Sequence, residues 1–157
     1  MDYFQGVVTE YLRADRATFV NPEYFIPLVE NDRSPRRRTS WYVDLVAASF
    51  EDQTIYLCEV TYARNLSALL ARLSDWAANW PALVKAIHRD SHVPTAWKVR
   101  PWIFVPESFV PRLLAKMPAL PVAPRITTLE MTQPWRYHWD RRAEEAKPDI
   151  IPEDMRC

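Results

Sequence analysis

Two carboxylates stand out because each interrupts an apolar run. Asp44 lies within Trp41-Tyr42-Val43-Asp44-Leu45-Val46-Ala47-Ala48, and Glu59 within Thr54-Ile55-Tyr56-Leu57-Cys58-Glu59-Val60-Thr61. Both runs are rich in β-branched and aromatic residues and are separated by the polar Glu51-Asp52, the pattern of a β-hairpin. If the turn is centred between Glu51 and Asp52 and holds an even number of residues, Asp44 falls opposite Glu59, with Cβ atoms about 4.5–5.5 Å apart. Folding gains nothing from two facing carboxylates on buried strands, since like charges repel and each loses its hydration. Something positive must lie between them, and a divalent cation is the simplest partner of that kind.

The flanking segments show what would position this pair. Asp2 can cap a helix running to about Ala14, with Tyr3, Phe4, Val7, Val8, Tyr11 and Leu12 as its apolar stripe. Glu10 lies on the flank of that stripe and Gly6 one turn earlier on the same side, so a close helix–sheet approach at Gly6 would bring Glu10 toward Asp44 and Glu59. Thr18-Phe19-Val20 and Tyr24-Phe25-Ile26 predict a first strand interrupted or ended near Pro22. The stretch 28–39 has no periodicity and carries Arg36-Arg37-Arg38. That run reads either as a solvated basic loop or as a phosphate-contacting arm just before the Asp44 strand.

Beyond the hairpin, Asn65 should cap a helix in which Leu66, Leu69, Leu70, Leu73, Trp76, Trp80, Leu83, Val84 and Ile87 recur at helical spacing. Pro81 must kink or split it near Asn79. A strand over 97–106, a short helix over 108–117 and a last strand over 125–132 follow. These strand–helix–strand connections imply right-handed crossovers and a parallel half-sheet. The expected class is α/β, a mixed central sheet with an αβββαβ core flanked by helices and extended by a further helix and strand.

Composition narrows the functions available. With 157 residues, 48% of them hydrophobic, the chain can bury one sizeable core. It divides into a domain over 1–134 and a segment over 135–157, whose aromatic start Trp135-Arg136-Tyr137-His138-Trp139 is expected to pack back on the domain. A formal net charge of zero means that nucleic acid would have to be met by a local basic patch. The single glycine, Gly6, excludes glycine-rich phosphate loops, dinucleotide fingerprints and nucleophile elbows. Cys58 and Cys157 do not suggest a structural disulfide, and His88 and His92 lack the second ligand pair of a zinc site. Without a leader pattern or a membrane-spanning apolar run, the expectation is a cytoplasmic protein with no membrane partner.

A helix bearing Glu10, a hairpin with Asp44 on one strand and Glu59-Val60-Thr61 on the next, then a long helix and a strand: this order resembles the PD-(D/E)XK nuclease superfamily, the restriction-endonuclease-like fold. The likeness covers roughly the first two-thirds of the chain. It implies a metal-dependent nuclease in which Asp44, Glu59 and Glu10 hold Mg²⁺ or Mn²⁺, and Arg36, Arg37, Arg38 and Arg64 contact nucleic acid, DNA rather than RNA. Asp44, Glu59, Thr61 and Glu10 would be the catalytic set. Thr61 stands where the family has lysine and no proline precedes Asp44, so the basic group would come from Arg64, Arg72, Lys98 or Arg100. The alternative is a catalytically inactive nuclease-fold protein that binds or assembles with a protein partner. A homodimer is a further expectation for either reading.

Overall fold

The β-branched and aromatic runs form a five-stranded sheet in a computed structural model that describes residues 1–29, 40–140 and 142. The strands are β1 (Thr18–Pro27), β2 (Ser40–Ser49), β3 (Thr54–Val60), β4 (Lys98–Val105) and β5 (Arg125–Thr128). They lie side by side in chain order, β1, β2 and β3 antiparallel, and β4 and β5 parallel to β3. Helix α1 (Tyr3–Arg13) precedes the sheet, α2 (Ser67–Ala78) and α3 (Trp80–Ser91) join β3 to β4, and α4 (Val110–Lys116) joins β4 to β5. The fold is α/β, with the expected order of elements.

Two cores cover the two faces of the sheet. On one, Val8, Tyr11 and Leu12 of α1 pack on Leu45, Ala47, Tyr56, Cys58, Trp102 and Phe104. On the other, Leu69, Leu73 and Trp76 of α2 and Leu83 and Ile87 of α3 cover Ile55, Leu57, Val99, Ile103 and Ile126. Every residue of β3 is buried, as a central strand covered on both faces requires. Each large aliphatic or aromatic side chain buried this way contributes roughly 1.5–3 kcal/mol.

Local chemistry explains the helix ends. Asp2 and Gln5 form a reciprocal capping box, with the Gln5 N–H donating to Asp2 Oδ1 at 2.8 Å and the Asp2 N–H to Gln5 Oε1 at 3.2 Å. Asn65, expected as the cap, lies one residue before the observed one: Leu66 takes the cap position, and Asn65 accepts the Ser67 N–H at 2.9 Å from just outside the helix. The long helical run splits at Asn79, which ends α2 and begins α3, so that Pro81 falls in a first helical turn where its missing N–H is harmless. The last strand is shorter than its sequence pattern. After Thr128 the chain tightens into a short 3₁₀ turn over Leu129–Thr132, closed by Thr132 Oγ1 donating to Leu129 O at 2.7 Å.

Pro22 does not end β1, yet the strand breaks its own alternation one residue later. Val20 packs against the α1-side core, whereas Tyr24 and Ile26, on the same alternation phase, pack against the other. β2 does the same in mirror order: Trp41 and Val43 belong to the α2-side core, Leu45 and Ala47 to the α1 side. The register is regular on both sides, Pro22 opposite Leu45 and Tyr24 opposite Val43, with Glu23 and Asp44 the skipped pair between them. Glu23 has φ +50°, a left-handed conformation that costs a non-glycine residue roughly 1 kcal/mol or more. Both strands therefore turn over together at one position, and that position is Asp44.

The aromatic segment after Thr132 packs back only in part. Tyr137 lies edge-on against Tyr11, its ring centroid 5.3 Å away, while Trp135 and Trp139 are exposed. Arg142 is buried on the same side, its Nη2 donating to Asp15 Oδ2 at 3.1 Å and its guanidinium lying over the Tyr11 ring. Among the described residues no helix is long and apolar enough to cross a membrane.

Candidate functional site

The hairpin pairs in the register that the sequence predicts. Ser49 faces Thr54 across the four-residue connection 50–53, and the pairing continues to Leu45 opposite Cys58. One step further the ladder stops, and side chains take over from the backbone. The Val60 N–H donates to Asp44 Oδ2 at 2.9 Å, and the Asp44 N–H donates to the Glu59 carboxylate. The turnover of β2 frees Asp44 from strict alternation and makes this reciprocal arrangement possible. The Asp44 and Glu59 carboxyl groups lie close enough to act on each other electrostatically.

Glu59 is the buried member, 5% exposed, and Asp44 is half-buried. Burial, then the nearby Asp44 charge, pushes the Glu59 carboxyl up to about 8, against the lowering influence of Arg72. The Asp44 carboxyl is also raised, by burial first, while the Val60 N–H and Arg72 oppose the rise and Asp2 adds to it. Glu59 accordingly gives up its proton less readily than an ordinary carboxyl, and its ionised form leans on Arg72.

The positive group beside the pair is Arg72 of α2. Its Nη1 lies 2.8 Å and 3.0 Å from the two Glu59 oxygens and 2.8 Å from the Tyr42 carbonyl. Burial works against the charged guanidinium, but the Glu59 and Asp44 charges outweigh it and its pKa is raised. Of the four basic candidates Arg72 alone bonds the pair. Lys98 and Arg100 stand in the first half of β4, opposite Thr54 and Tyr56, away from Glu59, and Arg100 Nε donates to the Ala123 carbonyl. Arg64 is exposed in the connection after β3. A signal for Arg72 was present in the sequence: it lies three residues after Leu69 and four before Trp76, a charge at the border of the buried stripe.

Glu10 requires a correction. Its side chain is 68% exposed and pairs with Arg13 at 3.2 Å, so it is not brought to the acid pair. The cause is the face that α1 buries: Val8, Tyr11 and Leu12 fix the helix on the side of the sheet opposite Arg72 and turn Glu10 outward. Gly6 is likewise not a point of close approach, because a Cβ there would meet only Met1 Sδ, at 4.0 Å. It is the capped first turn of α1, with Asp2 near Asp44, that reaches the site. Thr61 follows β3, half-buried, its N–H extending the pairing to Phe104 O at 3.0 Å. Arg36, Arg37 and Arg38 lie outside the described residues.

Among the described residues no three His, Cys, Asp or Glu side chains converge as a metal cage. The donor set is two carboxylates, the number that Mg²⁺ typically takes from protein while water and substrate phosphate complete its octahedron. Oxygen donors, burial and a carboxyl that ionises only with help fit a hard divalent cation. No known family, characterised protein or solved structure matches this chain.

Proposed function

We propose that this chain is a divalent-metal-dependent nuclease of the PD-(D/E)XK type, hydrolysing phosphodiester bonds of nucleic acid, DNA rather than RNA, in the cytoplasm. The observation that carries the reading is the convergence of Asp44 and Glu59 at the end of the β2–β3 ladder, with Glu59 buried and its carboxyl pushed up to about 8. Two acids brought together in a largely buried setting with one shared arginine are costly to maintain for stability alone. Asp44 and Glu59 would hold Mg²⁺ or Mn²⁺. Bound there, the ion would lower the pKa of water and neutralise charge on the scissile phosphate.

The chain's own groups divide the remaining work. Arg72, anchored by Tyr42 O and bonded to Glu59, would supply the positive charge that neutral Thr61 cannot. The Val60 N–H holds Asp44 oriented. Arg64, exposed just beyond β3, and the Arg36-Arg37-Arg38 run are assigned to phosphate contacts.

A second reading, a nuclease-fold protein that has lost catalysis and serves as a binding or assembly module, has one observation in its favour. A single nitrogen of Arg72 already reaches both oxygens of Glu59. Cleavage of plasmid and linear DNA with Mn²⁺ separates the two. The nuclease reading expects native activity that disappears with chelator and in Asp44→Asn and Glu59→Gln. An inactive native protein that still binds its partner supports the module, and native activity indifferent to both acids refutes the site.

A further inference from the structure

A cleft of about 420 Å³, lined by Phe4, Tyr62, Pro106, Leu129 and Trp135, opens beyond the carboxyl end of β3, the end of the strand at which Glu59 stands. We infer that it takes an unpaired base of single-stranded nucleic acid, which makes a strand with a free or frayed segment the substrate of the neighbouring site. The inference rests on the nucleic-acid reading above. Its position is the first argument. Tyr62 comes three residues after Glu59, Pro106 directly follows β4, and Leu129 directly follows β5, so the cleft lies outside the carboxyl ends of the parallel strands, at the same end of the sheet as Glu59. The first turn of α1 closes one side of the cleft, since Phe4 packs on Tyr62 with ring centroids 4.4 Å apart.

The chemistry of the walls is the second argument. Trp135 is 79% exposed and Tyr62 is half exposed, and exposed aromatic rings lining one cleft are the platforms on which bases stack irrespective of sequence. Arg136, which lines the cleft, supplies a charge for the backbone phosphate, and Gln133, whose Nε2 already donates to Leu129 O at 3.0 Å, offers its amide oxygen to a base edge. Arg136 makes no ion pair among the described residues. Glu130, the one acid at the cleft, is occupied, since its Oε2 accepts the Glu107 N–H at 2.8 Å. The volume suits a base with its sugar, whereas a duplex, whose bases are already stacked, presents no face to the walls.

The test is binding of a short fluorescent oligothymidylate and of a duplex of equal length, in chelator so that nothing is cut. Trp135→Ala and Tyr62→Ala should each weaken oligothymidylate binding, by roughly five- to a hundredfold per lost stack. Trp135→Phe should keep most of the affinity, and duplex binding should not move. Trp135 is too exposed for its replacement to unfold the chain, and unchanged circular dichroism checks this. Equal oligothymidylate affinity in native protein and both alanine variants overturns the inference, as does a native dimer that Trp135→Ala converts to monomer, which would assign the cleft to a second copy. The two readings fail separately. Cleavage that needs Asp44 alongside binding indifferent to Trp135 removes only the cleft, and Trp135-dependent binding in a protein without cleavage removes only the nuclease.

Discussion

The proton on Glu59 makes folding stability depend on pH in a direction opposite to that of an ordinary ion-paired carboxylate. Its carboxyl titrates at about 8 in the folded protein against an ordinary value of 4.5. The folded state therefore binds this proton more tightly than the unfolded state, and stability falls with pH between the two values. The contribution is fully present below 4.5 and is lost as pH rises through 8. At about 1.4 kcal/mol per unit, moving from about pH 6 to about pH 9 removes roughly 3 kcal/mol, most of it before the folded value is passed. Glu59→Gln is a neutral isostere that still offers Arg72 an oxygen, so its stability lacks this dependence. Urea denaturation of both proteins across that range gives the difference between them, in which titrations not coupled to Glu59 cancel. The native protein should lose about 3 kcal/mol relative to the variant from the acid to the alkaline end. A difference that stays constant would show that Glu59 ionises normally and would remove the electrostatic basis of the site.

Four further outcomes are expected. Because a divalent cation binds the ionised pair, Mn²⁺ should raise the melting temperature more at pH 8 than at pH 6 and not at all in Asp44→Asn, and an equal rise in both proteins would place the ion elsewhere. Arg72→Met should move the Glu59 titration, followed by carboxyl ¹³C shifts, upward by about one unit or more, since the cation that opposes the rise is gone; an unmoved titration refutes the contact. Gly6→Ala should stabilise the protein by about 0.5–1 kcal/mol in denaturation, because helix propensity improves and the new methyl meets only the Met1 sulfur; a loss would restore the close-approach role. Asp15→Ala should cost roughly 3–5 kcal/mol by the same assay, since it leaves buried Arg142 without its carboxylate and Thr18 Oγ1 without its acceptor, and a cost under about 1 kcal/mol would show that Arg142 is not held there.

The parts legible in the sequence are those where one local rule decides. An even-membered turn fixes hairpin register, so Leu45 opposite Cys58 follows from the two apolar runs alone. Pro81 splits the long helix at Asn79 because a proline is comfortable only at a helix start. The turnover at Glu23 and Asp44 was hidden for a physical reason: strands covered on both faces are apolar at nearly every position, so alternation carries no record of which face a residue takes. Glu10 was misplaced because a lone glycine was read as a packing notch, while Val8, Tyr11 and Leu12 already pointed the buried stripe elsewhere. The spacing from Leu69 and Trp76 sets Arg72 at the border of the buried stripe, but that it meets Glu59 depends on how α2 crosses β3, which spacing within one helix does not encode.

The matched turnover also bears on how this chain can change over generations. Since β1 and β2 invert at facing positions, their lengths agree on both sides of the break, and every side chain beyond it depends on both strands inverting. Deleting one residue near Glu23 alone would shift one flank of β1 against an unshifted β2 and send Tyr24 and Ile26 to the wrong core. A compensating deletion near Asp44 would restore the match, but at the cost of the carboxylate that accepts the Val60 N–H. Insertions and deletions here are therefore tolerated only as linked events, and a lineage that keeps Asp44 is held to the present length of both strands.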